Sequence, residues 1–263
     1  RFDGAIICDI TGQTRNDIIK YCFENSKRIY ISPKISDIII RGGTDINLFD
    51  SPLLLCRNSG LSFEQRLFKR IFDIVVSVIG LIILSPFMLI IAAAIKIDDG
   101  GSIIYKQKRL TINGKEFFVY KFRSMIPNAE KNGVPQLATG SDSRITRVGK
   151  FLRKCRLDEL PQLFNIIKGD MSVVGPRPER PELTEKYERE MPEFKFRLKV
   201  KAGLTGYAQV TGVYDTTPYD KLKMDLMYIE RYSMVMDLRI ILMTIKTMIS
   251  PGEMNSEADK EKY

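Results

Sequence analysis

The sequence predicts an α/β protein with one long apolar helical segment, and three observations predict it. Short apolar runs alternate with amphipathic stretches along most of the 263 residues. One block of 22 consecutive uncharged residues, 74–95, is long enough to enter or cross a bilayer. Hydrophobic residues at 44% and charged residues at 28% give a globular balance, which excludes a disordered chain.

The first 60 residues read as β-α-β. Residues 5–10 form a strand candidate, 14–26 a helix with Ile18, Ile19, Cys22 and Phe23 on one side, and 28–40 a return to strand. Residues 36–40 and 53–56 are further strand candidates. No glycine-rich phosphate loop separates the first strand from the helix, so no nucleotide site is expected there. Ser59 and Gly60 mark the boundary between this segment and the rest of the chain.

An amphipathic, basic stretch at 61–70 leads into the apolar block. Ser85 and Pro86 stand at its middle, where proline removes a helix hydrogen bond and predicts a helix–break–helix. Basic residues flank both ends: Arg66, Lys69 and Arg70 before, Lys96, Lys106, Lys108 and Arg109 after. The positive-inside tendency then places both ends on the cytoplasmic side. Three readings fit these residues: a re-entrant helix broken at Ser85 and Pro86, a kinked spanning helix, or a buried core helix.

Downstream, 102–107 and 116–125 read as strands around an Asn113-Gly114 turn. Residues 126–143 read as a polar loop and 145–156 as a basic helix. A second helix runs to Lys168 and is closed by Gly169. A proline-rich stretch at 175–181, a helix at 182–191, a glycine-bearing loop at 201–212 and helices at 218–231 and 237–249 complete the pattern. The last dozen residues are charged. The chain starts at Arg1 without an initiator methionine or signal-peptide pattern, and reads as a piece or processed form of something longer.

Composition narrows the chemistry. There is no histidine, which excludes Ser-His-Asp and Cys-His catalysis and HExxH zinc sites. The four cysteines have no metal-binding spacing and read as isolated reduced thiols. A net charge of +9 favours an anionic partner. A nucleic-acid binder or Mg²⁺ nuclease is a third reading of that charge, but basic and aromatic residues do not interleave on one strand and the apolar block has no place in such a protein, so no nucleic-acid partner is expected.

The strongest candidates are Asp158 and Glu159. Pro161 is tolerated only in the first turn of a helix, so this acidic pair falls at or just before a helix start. Two readings stand. The pair caps the helix dipole, or its two carboxylates, pointing about 100° apart on a helix, serve as nucleophile and metal ligand. Arg153 and Arg156 upstream would keep both ionised and attract a phosphorylated substrate. Arg177 lies between Pro176 and Pro178, so its guanidinium is pre-aimed as a bidentate diphosphate donor, or it is an exposed turn residue. Lys121 and Arg123 share one strand face opposite Phe122, either as an anion-binding pair or as a solvated face.

Five stretches in order, KRIFDI, YKFRSM, LDELPQLFNIIKGDMSVVGPRP, KAGLTGYAQVTG and KMDLMYIERYS, together with Ser85 and Pro86, resemble the bacterial sugar transferases, the monotopic polyprenyl-phosphate phosphoglycosyl transferases. The likeness covers about 70% of the chain. It implies a small catalytic α/β core at 61–250, with amphipathic interfacial helices and a re-entrant membrane helix at 71–97, then a charged tail at 251–263. Residues 1–60 resemble the end of the Rossmann-like accessory domain of longer members. It further implies that Asp158 attacks a UDP-sugar, that polyprenyl phosphate accepts the phosphosugar, and that Asp158 and Glu159 bind Mg²⁺. Lys121, Arg123, Arg153, Arg177 and Asp225 fall to substrate binding. The implied setting is the lipid bilayer of the cell membrane, with a monotopic catalytic domain on the cytoplasmic face and room for a homodimer. The alternative is an inactive membrane-bound scaffold of a glycan assembly complex. Two positions depart from the family pattern: Leu198 stands where histidine is usual, and Ala202 where proline is.

Overall fold

A computed structural model describes residues 2–48, 51–56, 60–126, 144–212 and 216–249. Apart from Ile126, the loop expected at 126–143 lies outside these residues, as does the tail 251–263. The chain divides into two compact units, Arg1–Arg57 and Asn58–Tyr263.

In the first unit, β1 (Gly4–Ile7) and β2 (Arg28–Ile31) pair in parallel across helix α1 (Gly12–Glu24), as the alternation predicts. The strand expected at 36–40 is instead helix α2 (Ile35–Arg41). Its isoleucines favour strand locally, but Asp37 decides otherwise. The Asp37 carboxylate accepts the Lys34 backbone N–H at 2.8 Å and two bonds from Arg15 at 3.0 and 2.7 Å, while Ile35 and Ile38 are buried at helical spacing. An antiparallel pair comes next, β3 (Thr44–Leu48), which the sequence did not announce, and β4 (Ser51–Leu55).

The second unit begins with α3 (Phe63–Asp99), 37 residues and about 55 Å long. Ser62 and Gln65 form a reciprocal capping box at its start, and Gly100 ends it with φ +70°. The helix is continuous through Ser85 and Pro86, with the proline inside it. Pro86 cannot donate to the carbonyl of Ile82, and the Ser85 hydroxyl donates to that same oxygen at 3.0 Å, so the lost backbone bond is replaced.

Both halves of α3 rest on this unit. Before Pro86, buried Lys69 pairs with Asp237 at 2.6 Å, Arg70 donates to the carbonyls of Ile166 and Ile167, and Asp73 accepts from Ser172 Oγ and Val173 N. After it, Ile91 and Ile95 pack with Phe122 and Leu152, and Asp99 pairs with Arg123. Between them Ile82, Ile83, Phe87, Leu89 and Ile90 are exposed.

The hairpin β5 (Ile104–Leu110) and β6 (Glu116–Phe122) pairs antiparallel, and Asn113 and Gly114 both take positive φ in its turn. Then come α4 (Arg147–Lys154), a 3₁₀ turn at Leu157–Glu159, and α5 (Gln162–Lys168), closed by Gly169 at φ +95°. Strand β7 (Ser172–Val174) pairs in parallel with β8 (Gly203–Thr205), and α6 (Pro181–Glu190) and a 3₁₀ stretch (Pro192–Lys199) lie between them in sequence. The glycine-bearing segment 201–212 is thus no plain loop, since β8 and α7 (Tyr207–Thr211) occupy it. Helices α8 (Pro218–Glu230) and α9 (Met234–Ile249) finish the unit.

The Lys69–Asp237 pair joins α3 to α9, and the Tyr228 hydroxyl donates to the same carboxylate at 2.7 Å. Lys69→Ala would leave Asp237 buried without its counter-charge, so a loss of about 3 kcal/mol in stability is expected, measured as a lower unfolding midpoint in detergent.

Candidate active site

The acidic pair is carried on the 3₁₀ turn, just ahead of α5 as Pro161 requires. Arg156 enters that turn with φ +54°, which reverses the chain out of α4. The turn faces β6 because Asn165 ties α5 to that strand: its Oδ1 accepts the Tyr120 N–H at 2.9 Å and its Nδ2 donates to the Phe118 carbonyl at 2.8 Å. With Asn165 fully buried, these bonds set the register between the acidic pair and Lys121.

The two carboxylates then meet different surroundings. Lys121 Nζ lies 2.6 Å from Glu159 Oε1, and Arg177 Nη2 approaches the same oxygen at 3.4 Å. Burial alone would raise the Glu159 pKa, but Arg177 and Lys121 outweigh it and hold it at about 2. Asp158 is also buried. Burial, reinforced by the charge of Glu159, raises it above the ordinary carboxylate value despite Lys121 and Arg153 nearby. Glu159 is therefore the fixed anion and Asp158 the more basic carboxylate, the better suited to attack an electrophile.

A cleft opens beside the pair, lined by Arg109, Lys121, Glu159, Gln162, Arg177 and Leu204 among others. Arg177 is the most accessible of its cations, with 46% of its side chain exposed, and Glu159 raises its already high basicity further. Arg153 stands behind the pair, its Nε donating to Ser124 Oγ at 3.1 Å.

Lys121, Arg153 and Arg177 thus gather around Asp158 and Glu159, as the sequence suggests. Arg123 and Asp225 do not. Arg123, one residue beyond the end of β6, is instead buried against Asp99 at the far end of α3. Asp225 is buried on α8, where Arg197 Nε and Nη2 bond its Oδ2 at 2.9 and 2.8 Å. Sequence reasoning passed over Arg109, Asn165 and Arg197. Asn165 had a signal, an amide among apolar residues in a short helix; the two arginines had none beyond their charge.

For Mg²⁺ the donor set fits. Both carboxylates supply oxygen only, and Mg²⁺ typically takes one or two carboxylates together with phosphate oxygens and waters. Glu159 Oε1 is occupied by two cations, which leaves its other oxygen and the Asp158 carboxylate as ligands. No cluster of three or more acidic or cysteine side chains exists among the described residues, so substrate oxygens and water would complete the shell.

Residues 64–251 match the family described as bacterial sugar transferase. The chain is 42% identical over 185 residues to an Aeromonas hydrophila protein named UDP-N-acetylgalactosamine-undecaprenyl-phosphate N-acetylgalactosaminephosphotransferase, covering 69% of this chain and 44% of that one. It is 43% identical over 211 residues to a UDP-glucose:undecaprenyl-phosphate glucose-1-phosphate transferase of Klebsiella pneumoniae, covering 78% of this chain and 43% of that one. An exopolysaccharide production protein of Rhizobium leguminosarum bv. phaseoli is 40% identical over 194 residues, 70% of this chain and 96% of that one. The chain spans less than half the length of the first two relatives and nearly all of the third. With its acidic pair, its basic cleft and this match over most of its length, the chain belongs to the bacterial sugar transferase family.

Proposed function

We propose that the chain is the catalytic portion of a membrane-bound UDP-sugar:polyprenyl-phosphate sugar-1-phosphate transferase, serving exopolysaccharide, capsule or related surface glycan assembly. The observation that supports this most is the division of the acidic pair into an ionised Glu159 held by Lys121 and Arg177 and a more basic Asp158 beside it. In the first half-reaction an Asp158 carboxylate oxygen bonds the sugar-side phosphorus, the phosphoanhydride bond breaks, and its electron pair leaves with UMP. In the second, an oxygen of polyprenyl phosphate bonds that phosphorus, the Asp158–phosphorus linkage breaks, and the carboxylate is restored. No proton need move in either step, which suits a site without histidine.

Arg177 and Lys121 hold the diphosphate and offset charge as it builds on the leaving oxygen. Mg²⁺, when bound by Asp158 and the free oxygen of Glu159, supplies further neutralisation of the diphosphate. UMP release measured over a panel of UDP-sugars, with and without polyprenyl phosphate, tests the activity. Release from at least one sugar nucleotide is expected, and its absence from all would refute the reading.

We also propose that α3 is re-entrant, with the catalytic unit on the cytoplasmic face. Residues 69–73 and 91–99 of one helix rest on the same unit, which supports re-entry over a helix that crosses about 30 Å of hydrocarbon. The basic residues at both ends favour the cytoplasm. On α9, exposed Val235, Leu238, Leu242 and Ile245 form a stripe suited to the interface. Cysteines placed at Glu64 and Lys96 should both react with an impermeant thiol reagent only from the cytoplasmic side. Labelling of position 96 from outside alone would mean that the helix spans.

A further inference from the structure

The loop that presents Arg177 is pinned along four consecutive carbonyls, and the donors come from three different elements. Gly203 N bonds the Pro176 carbonyl at 2.9 Å, Arg197 Nη2 the Arg177 carbonyl at 2.9 Å, Arg109 Nη1 the Pro178 carbonyl at 3.0 Å, and Leu110 N the Glu179 carbonyl at 3.0 Å. Two of the four are guanidinium groups, Arg197 buried and Arg109 with 15% of its side chain exposed, which is an expensive way to satisfy a turn.

Arg197 is the more elaborate of the two. Its Nε and Nη2 share Asp225 Oδ2, Nη2 also reaches the Arg177 carbonyl, Nη1 faces Glu179 at 3.7 Å, and its plane lies over the Phe194 ring at 4.9 Å. Asp225 lies on the buried face of α8 with Leu222, Leu226 and Ile229, a core position at which a carboxylate is costly unless paired. An apolar residue there would pack more cheaply. The ion pair gains a guanidinium locked in plane, directly behind the backbone of the most accessible cation in the cleft.

We propose that Arg197, held by Asp225, is a positioning residue: it fixes the Arg177 backbone so that the Arg177 guanidinium stays aimed at the acidic pair and the substrate diphosphate. Asp225 therefore acts through Arg197 and not on substrate. The assignment to diphosphate rests on the transferase reading; the positioning itself does not.

The test uses the whole chain in nanodiscs with two conservative variants, Asp225→Asn and Arg197→Lys. Arg197→Lys keeps the charge but loses the planar fork, and it carries the test if Asp225→Asn does not fold. With ¹⁵N-labelled arginine, the Arg177 Nε–Hε signal, identified by its disappearance in Arg177→Lys, should shift or broaden in either variant. An unchanged signal would overturn the proposal. The kinetic arm is a double-mutant cycle on UMP release. Asp225→Asn should lower kcat/KM about tenfold in the parent and less than about twofold in an Arg177→Ala background. Equal losses in both backgrounds would make the pair merely structural and overturn the proposal. Absence of UMP release from the parent would refute the transferase reading, while the Arg177 signal would still decide the positioning.

Discussion

Asp158→Asn is expected to abolish the first half-reaction, with UMP release falling at least about 10³-fold, roughly 4 kcal/mol in barrier. The substitution is nearly isosteric, and the Lys121–Glu159 pair that shapes the cleft does not depend on it. What disappears is a carboxylate that, among the described residues, has no cation directly on its oxygens: Glu159 holds two, and they keep its pKa at about 2 and make it the weaker nucleophile. Glu159→Gln should slow both half-reactions and alter the Mg²⁺ dependence, yet leave a stoichiometric UMP burst. The pH profile separates the two groups. Burial raises Asp158, so the burst should fade as pH drops through a value above the ordinary aspartate range. Glu159 remains ionised throughout that range and contributes nothing to the limb. A burst whose acid limb followed Glu159 would reverse the assignment.

Arg177→Lys is expected to cost about 2 kcal/mol in barrier, close to 30-fold in rate, although charge is conserved. Its single contact with Glu159 is long, at 3.4 Å, and nearly half the side chain is exposed, so the guanidinium is free to turn toward a diphosphate. Two prolines and the row of pinned carbonyls hold its backbone, so little entropy remains to be lost on binding. Lysine offers one hydrated ammonium where arginine offers a fork matched to two phosphate oxygens. A lysine variant with parental kinetics would reduce Arg177 to a turn residue. Because the loop is held through its carbonyls, the substitution should leave the unfolding midpoint within about 1 kcal/mol of the parent's stability.

Much of this site was legible from residues alone, where one local rule sufficed. Pro161 and Gly169 bracket α5, Asn113 and Gly114 make the hairpin turn, and the adjacent carboxylates with Arg153 and Arg177 announce an anion site. What the sequence concealed depends on partners far along the chain. Arg123 alternates correctly with Lys121, yet its strand ends one residue earlier and Asp99 captures it. Asp225 is paired with Arg197, a partner 28 residues away that its own stretch does not announce. The strand pattern of 36–40 was overruled by Arg15, some twenty residues upstream, through Asp37. At Ser85 and Pro86 the proline rule counts the lost backbone bond, whereas the neighbouring hydroxyl offers the freed carbonyl a replacement.

The central claim is that Asp158 becomes covalently bonded to the phosphosugar. Incubation with a UDP-sugar that supports UMP release, in the absence of polyprenyl phosphate, followed by acid quench and peptide mass spectrometry, tests this directly. One phosphosugar per chain is expected on the peptide bearing Asp158, labile to hydroxylamine and discharged by polyprenyl phosphate. An adduct located on Glu159, or none under conditions of full turnover, would contradict it.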